Sequence, residues 1–335
     1  MSPMNPTTPA SLRHLYPSWF AVVMGLCGLS LAWHRAGDGA LASGIAAAAG
    51  GLAALVFALL LLGTLWRAVR HRDAVRDDWQ HPVRHAFFAA LPISMILLAT
   101  VATAQRIPAA IADTLWVTGA LLQLAVTVWV LSRWLRGADG KLAWPSFTPV
   151  LFIPVVGNVL TPLAGAALGH ADWAAAQFGI GLLLWPVVLT LLAVRIGLVG
   201  LWPARLLPTT FITIAPPSVV GLAALQMQAP PTLAWMAWGM ALFFVLWSAT
   251  VLPRLRGQAF GLPFWGLSFP LAAFAALSLR LAETAGPLFT ALAYGALGLA
   301  TLVITGLVLF TLRGLTNGSL LQPEPVPPAP TTLAP

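Results

Sequence analysis

Charge is what this chain has least of: only 8% of its 335 residues are Asp, Glu, Lys or Arg. A soluble globular domain carries about 25%, so that class is excluded. Cysteine occurs once, as Cys27, which rules out an intramolecular disulfide and a cysteine metal cluster. Within its apolar stretch it reads as packing. Acidic residues are scarcer than basic ones, 9 against 17, for a net charge of +8. The basic residues are scattered over short loops and form no patch, so nucleic acid is not an expected partner. No glycine-rich phosphate loop, Ser/His/Asp arrangement or nucleotide motif is present, and neither enzymatic turnover nor ATP-driven transport finds support. No cofactor is expected. His71, Asp73, Asp77, Asp78, His81 and His85 do cluster, and His81 and His85 have the four-residue spacing of zinc sites. Pro82 interrupts that stretch and no HExxH pattern occurs, so a solvated loop is expected there and no metal site.

What is there is apolar: 59% of residues are hydrophobic and the mean hydropathy is +0.88. A helix needs about 20 apolar residues to cross a bilayer, and runs of that length follow one another almost end to end. The expected fold is an all-α polytopic membrane protein with the lipid bilayer as its surroundings. Ten spans fall near 16–34, 41–68, 86–105, 109–135, 148–168, 173–198, 208–228, 232–252, 262–282 and 286–312. The first ends in Ala32-Trp33-His34-Arg35 without a small-residue cleavage motif and counts as a span, not a signal peptide. Residues 1–13 are expected as a head, 14–313 as the transmembrane domain, and 314–335 as a Pro-rich, extended, disordered tail.

A proline-centred apolar segment recurs through these spans. It reads Phe87-Phe88-Ala89-Ala90-Leu91-Pro92, then Leu151-Phe152-Ile153-Pro154, Phe211-Ile212-Thr213-Ile214-Ala215-Pro216-Pro217 and Trp265-Gly266-Leu267-Ser268-Phe269-Pro270. A degenerate first copy from Trp19 and Phe20 to Gly25 carries glycine at the proline position. Pro92 to Pro154 and Pro154 to Pro216 are each 62 residues, and Pro216 to Pro270 is 54. The unit is a helical hairpin repeated five times, a pattern that builds pseudo-symmetric bundles. Proline kinks a helix and frees a carbonyl, which in lipid must face protein or a water-filled cavity. The odd spans, kinked at Gly25, Pro92, Pro154, Pro216 and Pro270, are therefore expected as an inner ring around a pore, and the smoother even spans as an outer ring.

Few ionisable groups fall in the inner spans, whereas carriers of multiply charged or proton-coupled substrates bury them near the midplane. Ser94, Asn158, Thr213 and Ser268 offer hydroxyl and amide donors instead. These groups either line a path in which an anion exchanges its hydration, or bond the carbonyls of their own helices. Phe20, Phe88, Phe152 and Phe269 stand beside the kinks. Phe269, directly before Pro270, reads either as a ring that closes the pore by steric block and dewetting or as ordinary packing. Arg280 lies about 16 Å further along the same helix. There it either attracts anions at the external mouth or pairs with Glu283, three residues on.

The run Gly25-Leu26-Cys27-Gly28-Leu29-Ser30-Leu31-Ala32-Trp33 and the run Trp265-Gly266-Leu267-Ser268-Phe269-Pro270, with the five hairpins, resemble the family of bacterial TehA tellurite-resistance proteins and plant slow anion channels. The resemblance covers roughly residues 14–313. It implies five kinked inner helices around a pore, five outer ones, a homotrimer with one pore per subunit, and passive flow of small inorganic anions. It also implies that the phenylalanine matching Phe269 occludes the pore. Glycine in place of the first proline and the doubled Pro216-Pro217 depart from the family pattern. The expected protein is thus a phenylalanine-gated channel for small monovalent anions in a bacterial inner membrane. The alternatives are a secondary exporter of sulfite, tellurite or a C4-dicarboxylate, and a membrane sensor or scaffold with a vestigial pore.

Orientation follows from the loops. Fourteen of the 17 Lys and Arg residues, Lys141 among them, fall in the head, the even-numbered loops and the stretch after the last span, and three, Arg35, Arg106 and Arg280, in the odd-numbered loops. Basic loops stay in the cytoplasm. Both termini are predicted to be cytoplasmic, so a C-terminal fusion should be active with a cytoplasmic reporter and silent with a periplasmic one. The opposite pattern overturns the orientation and the even number of spans together.

Overall fold

The structure is a computed structural model describing residues 11–136 and 143–323. Lys141, the head up to Ala10 and the tail from Glu324 lie outside the described residues. Among those described, all regular structure is helical. The α-helices are α1 (Phe20–Arg35), α2 (Ala40–Arg70), α3 (Arg72–Gln80), α4 (Ala90–Ala104), α5 (Ala109–Ser132), α6 (Phe152–Val156), α7 (Pro162–Gly165), α8 (Ala171–Val199), α9 (Ala215–Gln226), α10 (Pro231–Ala249), α11 (Leu252–Leu255), α12 (Ser268–Ala282) and α13 (Pro287–Thr316). Nine helical segments of the described residues are long and apolar enough to cross a membrane. At the expected fifth position stands a shorter apolar segment, Pro149–Gly165.

The two kinds of span differ in burial. In Pro17–Arg35, Arg84–Ala104, Ala204–Gln226 and Leu262–Ala282, 67–78% of the apolar window is buried, against 22–33% in the spans built on α2, α5, α8, α10 and α13. The second group buries one stripe, such as Ala46, Ala49, Ala53, Phe57 and Leu60 of α2, and turns Leu55, Leu59 and Leu62 outward. Among the first group, α1 packs against α4 and α12, α9 packs against α12, and the segment around Gly157–Leu160 and α7 touches both α4 and α9.

Each buried span begins with a 3₁₀ stretch before the α-helix: Pro17–Trp19, Arg84–Ala89, Pro149–Leu151, Ala204–Ile214 and Leu262–Leu267. Pro92, Pro154 and Pro270 are each the third residue of the α-helix that follows, and Pro216 and Pro217 the second and third of α9. The first α-helical N–H groups have no α-helical partner, so proline costs little there. The break in these spans is a junction between two helical pitches. Gly25 stands apart from this pattern, as the sixth residue of α1 beyond a junction that Pro17–Trp19 supplies.

Two regions differ from expectation. Part of the segment read as tail is ordered: α13 runs to Thr316, a turn follows at Ser319–Leu321, and the amide of Ser11 donates to the carbonyl of Leu321 at 3.1 Å. The second loop is solvent-exposed over much of its length, as expected, but it is helical and its inner face covers an ionic core. Asp78 is 1% exposed and meets Arg67 at 2.7 Å and Arg84 at 3.0 Å. Both guanidinium groups lie over the ring of Tyr16, at 5.7 and 5.0 Å, and Arg67 Nε donates to the carbonyl of Arg13 at 2.8 Å. Nearby, His81 Nδ1 accepts from the amides of Val83 and Arg84, both at 3.1 Å. Burial, with the charge of Arg84 second, pushes its pKa down to about 4, consistent with the neutral ring that such acceptance requires.

Removing one member of a buried ion pair leaves the other uncompensated. Asp78→Ala is therefore expected to cost about 3–5 kcal/mol, and Asp77→Ala, on the exposed face of the same helix, to stay within about 0.5 kcal/mol. Thermal melts of the two purified variants check this; equal melting temperatures contradict the ionic core.

Candidate pore constriction

One cavity is reached by the four buried spans near their starts and by the short apolar segment Pro149–Gly165. It encloses about 50 Å³. Ala21 and Met24 line it from α1, Phe87 and Ile93 from the third span, and Phe152, Ile153, Val156 and Leu160 from the short fifth. Thr209, Ile212 and Ala215 come from the seventh, and Leu262, Pro263, Trp265, Gly266, Phe269 and Pro270 from the ninth. By volume a few waters fit, but a wall this apolar keeps such a space dry. Thr209 is its one hydroxyl, and that group donates to the carbonyl of Leu206 at 2.6 Å.

Phe269 sits on the wall at 6% exposure, and two glycines of α1 set its surroundings. A Cβ built on Gly28 would lie 3.1 Å from Phe269 Cδ2 and 3.0 Å from the Ala272 methyl; one on Gly25 would lie 2.3 Å from Ser268 Oγ. The absent side chains let α1 and α12 approach where Phe269 projects. Gly25 thus serves close approach. The indole N–H of Trp265 donates to Thr311 Oγ1 at 2.9 Å, tying the entry segment of the ninth span to α13.

The other candidate residues are placed as follows. Phe152 lines the cavity beside Phe269, as does Pro270. Pro92, Pro154 and Pro216 are not among the lining residues, although each adjoins one in sequence, Ile93, Ile153 and Ala215 respectively. Phe20 does not line it and meets Phe57 edge-on at 5.8 Å. Phe88 packs edge-on against Trp79 and Trp129 at 5.4 and 5.9 Å, and its neighbour Phe87 reaches the cavity instead. The polar candidates bond carbonyls: Ser94 to Ala90 at 2.7 Å, Thr213 to Thr210 at 2.8 Å and Ser268 to Trp265 at 2.7 Å. Arg280 forms an ion pair with Glu283, both side chains partly exposed. Asp113 pairs with His170 at 2.7 Å, and that ring stacks on Trp116.

Asn158 belongs to a network that sequence reading missed. Its Nδ2 donates to Thr127 Oγ1 at 2.9 Å and to the carbonyl of Pro154 at 3.0 Å, and its Oδ1 accepts from Gln177 Nε2 at 3.0 Å. Gln123 Nε2 and Thr127 Oγ1 donate to the same Pro154 carbonyl at 2.8 and 2.6 Å. The signal was there in principle: Gln123 and Thr127 stand four residues apart in an otherwise apolar span, and polar side chains at that depth mark an inward face. Among the described residues no group of three or more His, Cys, Asp or Glu is placed to hold a metal.

The SLAC1 family model, described as a voltage-dependent anion channel, matches residues 14–312. The chain belongs to the SLAC1 family. It is 29% identical over 324 residues to the "Tellurite resistance protein TehA homolog" of Haemophilus influenzae, covering 94% of each chain. It is 27% identical over 258 residues to the "S-type anion channel SLAH2" of Arabidopsis thaliana, covering 74% of this chain and 49% of that one. For "S-type anion channel SLAH3" of the same plant the identity is 25%, covering 76% of this chain and 40% of that one. The chain thus spans about half or less of the length of these plant relatives. Membership makes it a multi-pass membrane protein of an anion channel and transporter family.

The glycine contacts generate a prediction. Gly25→Ala forces a methyl into Ser268 and is expected to cost about 1–3 kcal/mol by overpacking. Gly51→Ala, with nothing within 4 Å of the new methyl, should be neutral or stabilising by up to about 1 kcal/mol through helix propensity. Melting temperatures of the two variants distinguish this from a pair of interchangeable helical glycines.

Proposed function

We propose that this protein conducts small monovalent anions passively through a pore between its buried spans, closed at rest by Phe269. The observation that carries the reading is the meeting of the four buried spans and the segment Pro149–Gly165 at one dry, apolar cavity with Phe269 on its wall. The contact order α1, α4, fifth span, α9, α12 and back to α1 supports a closed inner ring. Pro149–Gly165 supports a tenth span despite its length. Seven of its 17 residues are 3₁₀, and with about 2.0 Å per 3₁₀ and 1.5 Å per α residue it reaches about 29 Å, near the thickness of the hydrocarbon core.

The ionic character follows from the lining. Among the described residues no Asp, Glu, Lys, Arg or His lines the cavity, so nothing there holds a multivalent anion tightly, and passage is governed by the cost of shedding water. The basic asymmetry of the loops supports cytoplasmic termini in a bacterial inner membrane, and the resemblance supports a homotrimer with one pore per subunit. Arg280 belongs to the external mouth in this reading. A carrier reading is favoured by one observation, the tellurite-resistance name of the Haemophilus relative. Saturating flux at low turnover distinguishes such an exporter from a channel.

Phe269→Ala in proteoliposomes is expected to raise nitrate and chloride conductance at least about tenfold by widening and wetting the constriction. The reversal potential should follow the anion gradient. If Phe269 is only packing, truncation costs about 3–5 kcal/mol of stability and adds no current. Absence of flux in both wild type and variant points to a scaffold with a vestigial pore, and a reversal potential tracking potassium overturns the anion reading.

A further inference from the structure

The buried stripe of α8 runs Ala174, Gln177, Gly181, Trp185, Val188, Leu192 and ends on a charge, Arg195. Arg195 is 3% exposed and its guanidinium stays protonated in any protein environment. Among the described residues no carboxylate pairs with it. Its Nη1 donates to the carbonyl of Gly200, a residue in the left-handed region at φ 75°, and its guanidinium carbon lies 5.7 Å from the centroid of the Trp202 ring. Those contacts leave Arg195 Nε without a hydrogen-bond partner. Trp202 is 2% exposed, and its indole N–H is unpartnered as well.

Every unmet group here is a donor, and the one charge is positive. A buried cation is tolerated when a counter-charge accompanies it; the carbonyl end of α8 and an aromatic face offset part of the charge but supply no counter-ion. Trp19 and Trp185 also have unpartnered indoles, but the cation–π contacts place a guanidinium over neither of those rings. The contrast with Asp78 is direct, since there the chain answers its buried guanidinium groups with its own carboxylate. We infer that Arg195 and Trp202 form a binding site for one small anionic group, a free inorganic anion or the phosphate of an anionic lipid. The site lies where α8 ends and the chain turns toward the entry segment Ala204–Ile214. It is separate from the cavity lining, so it does not rest on the gate assignment.

The test is binding to the full-length purified protein at constant ionic strength, read as melting temperature against ligand concentration, with chloride and inorganic phosphate as probes in lipid-free detergent. A second arm compares nanodiscs of phosphatidylglycerol with nanodiscs of phosphatidylcholine. Wild type is expected to be stabilised in a saturable way. Arg195→Gln should weaken the apparent affinity at least about tenfold, as loss of a charge-assisted bond implies. Trp202→Phe, which keeps the ring and removes the N–H, should weaken it several-fold, and Arg254→Gln, at an exposed position, should leave it unchanged. Stabilisation by free phosphate or chloride identifies a soluble anion, and stabilisation by phosphatidylglycerol alone identifies a lipid headgroup. If Arg195→Gln does not fold, Trp202→Phe and Arg195→Lys decide. No stabilisation of wild type by any probe, or unchanged affinity in the variants, overturns the site; conductance of Phe269→Ala is a separate measurement and fails or succeeds independently.

Discussion

Inside hydrocarbon a backbone N–H or C=O has no water to turn to, so each must be met by the protein itself. Four of the five buried spans carry a proline near the start of their α-helix, which removes a donor at that depth. The chain resolves the conflict by changing helical pitch. A 3₁₀ entry bonds its own carbonyls at shorter range, and the α-helix opens within two residues before the proline, where the missing N–H has no α-helical partner. Where the chain is most broken, in Pro149–Gly165, side chains take over: Gln123 and Thr127 of α5, with Asn158 of the broken segment itself, all converge on the Pro154 carbonyl.

That arrangement determines how close the spans can lie. Gly157 accepts no side chain because Gln123 occupies the space, with a built Cβ 2.3 Å from the amide carbon. Gly25 and Gly28 play the same part for α1 against α12, and Gly181 for α8 against Val159. Close packing without large side chains is how helices associate where lipid tails are as apolar as leucine. The price is conformational freedom: a wall built from backbone contact leaves Phe269 few alternatives unless α1 and α12 move apart.

The nine long apolar helices, and the greater burial of the four that carry the proline or glycine segments, were legible because hydropathy and proline spacing are direct imprints of the bilayer. The direction of individual side chains was not. One residue along a 3₁₀ helix turns a side chain by about 120°, which is why Phe87 reaches the cavity while Phe88, next to it in Arg84–Ala89, packs on Trp79 and Trp129. The ionic core around Asp78 was hidden for a different reason: a charged loop reads as solvated until a third element, here the Tyr16 turn, covers it. The fifth span kept its length from view because 3₁₀ residues and α residues look alike in composition. Gln123 and Gln177 were passed over since their spans are otherwise smooth, although each reaches a carbonyl of a neighbouring span.

The pitch change also has an electrical consequence. A helix carries about half a positive elementary charge at its N-terminal end; here that end is the start of each 3₁₀ entry, whose carbonyls already bond the first α-helical amides, and the buried spans meet the cavity near those starts. The negative ends of α2, α5, α8, α10 and α13 reach that side from the exposed layer, behind the buried spans. A space without any cationic side chain is therefore biased toward a positive potential by peptide groups alone. Such a bias has no pKa and does not titrate, and no single side-chain substitution deletes it. Any discrimination by sign of charge would then be a property of chain direction, shared by the buried spans that meet the cavity near their starts.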